Sequence, residues 1–189
     1  MIINRVWSMP SRWTFTIKPI AELLARYVGD GKGWVDPFAG ENSPAEITND
    51  LNIDMPTEYH LDALEFLRQL DGEHCIGAIF DPPYSITQAR DCYQGIGMDR
   101  LKIKPTSMKY WAEVKNLIAK LTVLNGIVIC CGWSSMGLGK TRGFGMMEIL
   151  LVPHGGSKND TIVTVERKVQ SNMALTAGDY SLREQRRNE

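Results

Sequence analysis

Asp81-Pro82-Pro83-Tyr84 directly follows the apolar run Ile76-Gly77-Ala78-Ile79-Phe80. Two consecutive prolines hold the backbone extended and remove two N–H donors. The flanking carbonyls are then acceptors fixed in place. Asp81 adds a carboxylate, and Tyr84 adds a flat face with a polar tip. Together they form a socket for an amino group on a heteroaromatic ring. The two amine hydrogens can go to the Asp81 carboxylate and the Pro82 carbonyl. That draws the nitrogen lone pair out of conjugation and toward an incoming electrophile. Tyr84 can stack on the ring so presented. The plainer reading of the tetrapeptide alone is a Pro-Pro strand stop with a solvent-facing Asp81.

Four upstream positions could hold a ligand beside that socket. Val35-Asp36-Pro37-Phe38-Ala39-Gly40 reads as a strand ending in an acid and turning through a glycine, which lets a backbone approach a ligand closely. Asp50 lies about ten residues after that glycine. It can reach both hydroxyls of a ribose, or it can cap a turn. Asp62 precedes Ala63-Leu64-Glu65-Phe66-Leu67. It can bind an adenine amino group, and it is also a good helix N-cap with Glu65 completing a capping box. Lys18 precedes Pro19 at a helix start, where a cation is unfavourable unless it faces an anion such as a ligand carboxylate. A solvated lysine is the alternative.

These residues need elements to position them. Apolar residues at helical spacing over Ile20–Val28, with Ala21, Leu24 and Val28 on one face, predict a first helix. Glycines 29, 31 and 33 break it. Trp34–Asp36, Ile76–Phe80 and Ile127–Cys131 read as buried strands. Ala45–Asp50 is a weaker strand candidate. Leu61–Leu70 and Trp111–Leu124 read as helices. Glu148–Val152 and Thr161–Val165 read as a final strand pair around a turn-rich segment. The alternation predicts an α/β fold, a doubly wound, mostly parallel sheet with a terminal antiparallel hairpin. The motifs then fall at the carboxyl ends of strands, where such sheets bind ligands. Ser85–Met108 has little apolar periodicity and reads as a mobile substrate loop.

The 189 residues fit one domain, 1–189. The absence of an 18-residue apolar run and of a signal-peptide layout predicts a cytoplasmic protein without a membrane partner. Cys75, Cys92, Cys130 and Cys131 have no metal-ligand spacing, and Cys130-Cys131 lies inside an apolar strand. A net charge of −1 means that nucleic-acid binding would need a local basic face. Arg90, Arg100, Lys102, Lys104 and Lys109 could form one, or they could be an ordinary solvated face. Arg183–Arg187 reads as a frayed end. Trp7 and Trp13 could pack on the core or on a second copy.

Taken together, the motifs resemble those of the amino-methyltransferases of DNA. Thr16-x-Lys18-Pro19-x-x-x-Leu23-Leu24 is similar to the Thr-Gln-Lys-Pro motif of that family. Asp36-Pro37-Phe38-Ala39-Gly40 is similar to its Asp-Pro-Phe-x-Gly cofactor loop. Asp81-Pro82-Pro83-Tyr84 is similar to its catalytic motif in the adenine form, and Gly126–Ile129 with Trp133-Ser134 is similar to the later strand at the target pocket. The small size and the run after Asp50 resemble the phage-type adenine enzymes in particular. The resemblance covers roughly Thr14 to Lys168.

It implies S-adenosylmethionine as cofactor, held by Thr16, Lys18, Asp36, Pro37, Phe38, Ala39, Gly40, Asp50 and Asp62. It implies catalysis by Asp81, Pro82, Pro83 and Tyr84 on an adenine flipped out of DNA, by direct displacement and without a metal. Two departures stand out. The family's Gly-Ser-Gly is here Gly40-Glu41-Asn42-Ser43-Pro44, so Asn42 is expected to take the left-handed geometry of the second glycine. No separate target-recognition domain is visible. Recognition then falls to Ser85–Met108, to a homodimer partner or to a separate specificity subunit, or it is weak. Methylation of RNA, of N4 of cytosine or of the guanine amine is the alternative enzyme reading. A non-catalytic nucleic-acid or partner-binding module is the alternative of another class.

Overall fold

The computed structural model describes residues 1–70, 74–97, 108–135, 137–156 and 158–170. Seven strands form one sheet: β1 (Ile2–Arg5), β2 (Trp34–Asp36), β3 (Ile47–Thr48), β4 (Cys75–Phe80), β5 (Thr122–Gly132), β6 (Phe144–Val152) and β7 (Thr161–Lys168). Their order is β1-β6-β7-β5-β4-β2-β3. Every neighbouring pair is parallel except the two that involve β7. Among the described residues four α-helices accompany the sheet: α1 (Lys18–Val28), α2 (Ala63–Gln69), α3 (Ile86–Gly95) and α4 (Met108–Leu121).

The central strands β2, β4 and β5 are buried on both faces over most of their length, which is why their cores read as continuous apolar runs. Ala78 and Phe80 of β4 and Val128 and Cys130 of β5 join a core with Phe66, Leu67, Val114 and Ile118 of α2 and α4. The alternate residues Ile79, Ile129 and Cys131 face Ile20, Leu23, Leu24 and Val28 of α1. The buried side of α1 is thus centred on Ile20 and Leu23, with Ala21 at its margin. Each such side chain contributes roughly 1.5–3 kcal/mol by leaving water. Gly77 keeps β4 close to β2, because a Cβ there would lie 2.6 Å from the Trp34 ring.

Three elements differ from the sequence expectation. Ser85–Met108 is not all loop, since α3 occupies its first part. Ser85 caps that helix by accepting from the Gln88 amide at 3.1 Å, and the Gln88 side chain accepts from the Tyr84 amide at 2.8 Å. The helix predicted to reach Leu124 ends at Leu121, and β5 starts at the next residue. Buried Lys168 of β7 makes that junction work by donating to the Ala119 and Thr122 carbonyls, both at 2.7 Å. Strand β1 was not foreseen; its four residues are exposed and it exists by pairing with β6. Among the described residues no helix is long and apolar enough to cross a membrane. Of the expected basic face, Arg90 and Lys109 are exposed. Arg100, Lys102, Lys104 and the run Arg183–Arg187 lie outside the described residues.

Candidate active site

The chain passes from β2 outward to β3, then returns through α2 to β4 on the other side of β2. This reversal opens a crevice at the carboxyl ends of β2 and β4. A cavity of about 400 Å³ lies there, in the range of small-molecule sites. Its walls are the segment Arg12–Phe15, the turn Pro37–Gly40 with Asn42, Asp50 and Leu51 after β3, Asp81–Tyr84, and Gln88, Asp91, Cys92 and Tyr93 of α3.

Asp36 ends β2 fully buried. It accepts from the Phe38 amide at 2.9 Å and from the Ser43 hydroxyl at 2.7 Å. Burial, with Asp81 and Asp50 nearby, pushes its pKa up to about 7. Its carboxylate shapes the turn and is not part of the cavity wall. Gly40 has φ 56° and carries the Trp13 ring, 3.3 Å from where a Cβ would sit. The Gly40 amide donates to Asp50 at 3.1 Å, and the Asn52 amide donates to the other Asp50 oxygen at 2.8 Å. Burial raises the Asp50 pKa. Asn42 lines the cavity, but its φ is not positive: Asn125 is the one non-glycine residue with positive φ among those described. The expected left-handed substitution therefore does not occur. Ser43, bonded to Asp36, shapes the turn instead.

Asp81 stands at the end of β4. It accepts from the Tyr84 hydroxyl at 2.5 Å, which leaves a carboxylate capacity for further donors. Burial raises its pKa to about 6, against the pull of the Tyr84 and Thr14 hydroxyls. The Pro82 carbonyl accepts no hydrogen bond among the described residues. The Tyr84 ring meets Trp133 edge to face, with centroids 5.8 Å apart. Phe38 packs edge-on against Phe80 at 5.8 Å and leans on Trp111 at 5.9 Å, so the turn it belongs to is anchored in the core.

The cavity thus gathers Pro37, Phe38, Ala39, Gly40, Asp50 and Asp81–Tyr84 of the expected site. It does not gather Thr16, Lys18 or Asp62. Lys18 is exposed at the first residue of α1. The Thr16 hydroxyl donates to the Trp13 carbonyl at 2.8 Å and pairs with Ser11, bracing the turn that brings Trp13 to the cavity. Asp62 caps α2 through the Leu64 amide at 3.0 Å. Its second oxygen accepts from the hydroxyls of Tyr110 at 3.1 Å and Tyr93 at 3.4 Å, so it ties α3 to α2 and α4.

Several contributing residues were not foreseen in their roles. Arg12, Trp13 and Thr14 form a wall, and no periodicity marks them. Gln88, Asp91 and Tyr93 arrive on α3, whose signal was the Ser85-x-x-Gln88 cap pattern. Buried Asn49 donates to the Pro37 and Leu61 carbonyls at 3.1 and 3.0 Å and accepts from the Leu61 amide at 2.9 Å. It joins the glycine turn to the approach to α2.

No protein-family model matches the sequence, and no curated protein matches it. Solved structures do match in fold. A Burkholderia thailandensis 1,6-didemethyltoxoflavin-N1-methyltransferase, with its substrate and S-adenosylhomocysteine bound, superposes with a TM-score of 0.56 at 14% identity, over 81% of this chain and 78% of that one. The N-methyltransferase NodS from Bradyrhizobium japonicum gives 0.52 at 9% identity, over 81% and 96%. TrmN from Thermus thermophilus gives 0.50 at 15% identity, over 81% of this chain and 49% of that one. The chain has the Rossmann-like fold of the S-adenosylmethionine-dependent methyltransferases.

Proposed function

We propose that this protein transfers a methyl group from S-adenosylmethionine to the exocyclic amino group of adenine in DNA. The observation that carries the reading is a single cavity that joins a glycine turn with a ribose-suited carboxylate, Gly40 and Asp50, to a paired acceptor, Asp81 and the Pro82 carbonyl. The methyltransferase fold supports it. So does the Burkholderia relative in fold, which holds S-adenosylhomocysteine.

The residues present fit the cofactor. Ala39 and Gly40 put backbone on the cavity wall, Asp50 suits vicinal hydroxyls, and Phe38 and Leu51 give apolar walls. Bound S-adenosylmethionine would supply a methyl group on an electrophilic sulfonium sulfur. Asp81 and the Pro82 carbonyl take the two amine hydrogens and turn the nitrogen lone pair toward the cofactor side of the cavity. Tyr84 holds the Asp81 carboxylate and, with Trp133, offers an aromatic corner for the base. Asp81 later removes the extra proton from the methylated amine. Catalysis is mostly positioning.

The test is incubation with labelled S-adenosylmethionine and four substrates: duplex DNA, single-stranded DNA, RNA and free nucleosides. Mass spectrometry then identifies the modified base. Label appearing as N6-methyladenine in DNA is expected. Label confined to RNA, cytosine or guanine would move the substrate assignment, and no transfer with no cofactor binding would leave a non-catalytic module.

A further inference from the structure

The charges around the cavity are uneven. Asp50, Asp81 and Asp91 line it with carboxylates, and Arg12 is the one cationic side chain among the described lining residues. Arg12 has no ion pair among the described residues. Its guanidinium lies over the Trp13 ring, 5.0 Å from the centroid. Trp13 in turn rests on Gly40. The segment is held by bonds of its own: the Trp13 amide donates to Ser11 at 3.1 Å and the Thr16 hydroxyl to the Trp13 carbonyl at 2.8 Å. A stacked guanidinium keeps its N–H edges free for a planar anion. Lys18, the cation that the sequence motif offers for this purpose, is exposed and outside the cavity wall.

We infer that Arg12 is the anion-binding group of the site and receives the α-carboxylate of the cofactor's amino-acid part. The inference rests on the proposed use of S-adenosylmethionine. The ligand then matches the wall charge for charge, with its cationic groups among the three carboxylates and its single anion on Arg12. Trp13 acts as the platform that fixes the guanidinium beside the glycine turn, so Arg12 discriminates an amino-acid-bearing nucleoside from one without the carboxylate.

Calorimetry tests this with S-adenosylmethionine, its decarboxylated analogue and duplex DNA, on wild type, Arg12→Met and Arg12→Lys. Wild type should prefer S-adenosylmethionine to the decarboxylated form by about tenfold, a size suited to a partly solvated charged contact. Arg12→Met should bind both alike, at the weaker affinity, and Arg12→Lys should restore part of the preference. Thermal melting of each variant checks that the fold is kept, and exposed Arg12 should tolerate the change. A preference unchanged in Arg12→Met overturns the assignment. So does a loss confined to DNA affinity, which would make Arg12 a phosphate contact. Wild type that binds neither cofactor form overturns the methyltransferase reading itself, a result distinct from lost discrimination.

Discussion

Asp36 and Asp81 end neighbouring parallel strands, and burial raises the pKa of both. They differ in what they face. Asp36 turns inward, and its oxygens are taken by the Phe38 amide and the Ser43 hydroxyl. Asp81 turns into the cavity, and its partners, the Tyr84 and Thr14 hydroxyls, themselves border that cavity. One carboxylate builds the turn that a cofactor would lie on, and the other is presented to a substrate. Asp36 is fully buried and Asp81 half-buried; the identity of the next few residues decides which acts. After Asp36 the chain curls back within seven residues to offer Ser43. After Asp81 two prolines keep the chain extended, so no backbone amide returns to it.

The contrast can be broken by mutation. Asp81→Ala should lower the methyl-transfer rate by roughly 10²–10³-fold, the scale of losing one preorganised polar partner. Cofactor affinity by calorimetry should stay within about threefold of wild type on the same reasoning. Loss of cofactor binding with the rate kept would reverse the two roles. Asp36→Ala should act on stability, because it strands the Phe38 amide and the Ser43 hydroxyl. A cost of about 1–3 kcal/mol in urea unfolding is expected.

pH sharpens the comparison with opposite signs. The rate needs ionised Asp81, so it should fall about tenfold per unit below pH about 6, read from a pH–rate profile. Stability should run the other way. Asp36 has a folded pKa raised to about 7, so the folded state binds its proton more tightly than the unfolded chain. Its favourable contribution is complete below the unfolded value near ~4 and is lost as pH rises through about 7. Melting temperature against pH reads this, and Asp36→Ala should flatten that slope. The smallest effect is that of Tyr84→Phe. It removes the hydroxyl that holds the Asp81 pKa down, so the acid limb of the pH–rate profile should move to higher pH. An unmoved limb would mean that the hydroxyl does not act on Asp81.

The legible parts of the molecule were those written in local pattern. Trp34–Asp36 and the core of Ile76–Phe80 were visible because strands covered on both faces are apolar throughout. The acceptor tetrapeptide and the Asp36–Gly40 turn were visible because proline and glycine constrain the backbone wherever they occur. Helix α3 was hidden because its support is the Ser85 cap on the Gln88 amide, the Gln88 side chain on the Tyr84 amide and a hydroxyl bond from Tyr93 to Asp62, not a long apolar stripe. Asp62 itself was ambiguous between cap and ligand, and the structure gives it the cap and two tyrosines.

The order of residues alone determined the strand-to-turn junctions and the chemistry they can present, since both depend on neighbours within a few positions. It could not determine which side chains share the cavity. Lys18 and Arg12 lie six positions apart near one helix start and both are exposed, and only packing sets Arg12 over Trp13 on the cavity wall and leaves Lys18 off it. That choice is made by the contact of Trp13 with Gly40, residues far apart in the chain that meet only in the folded molecule.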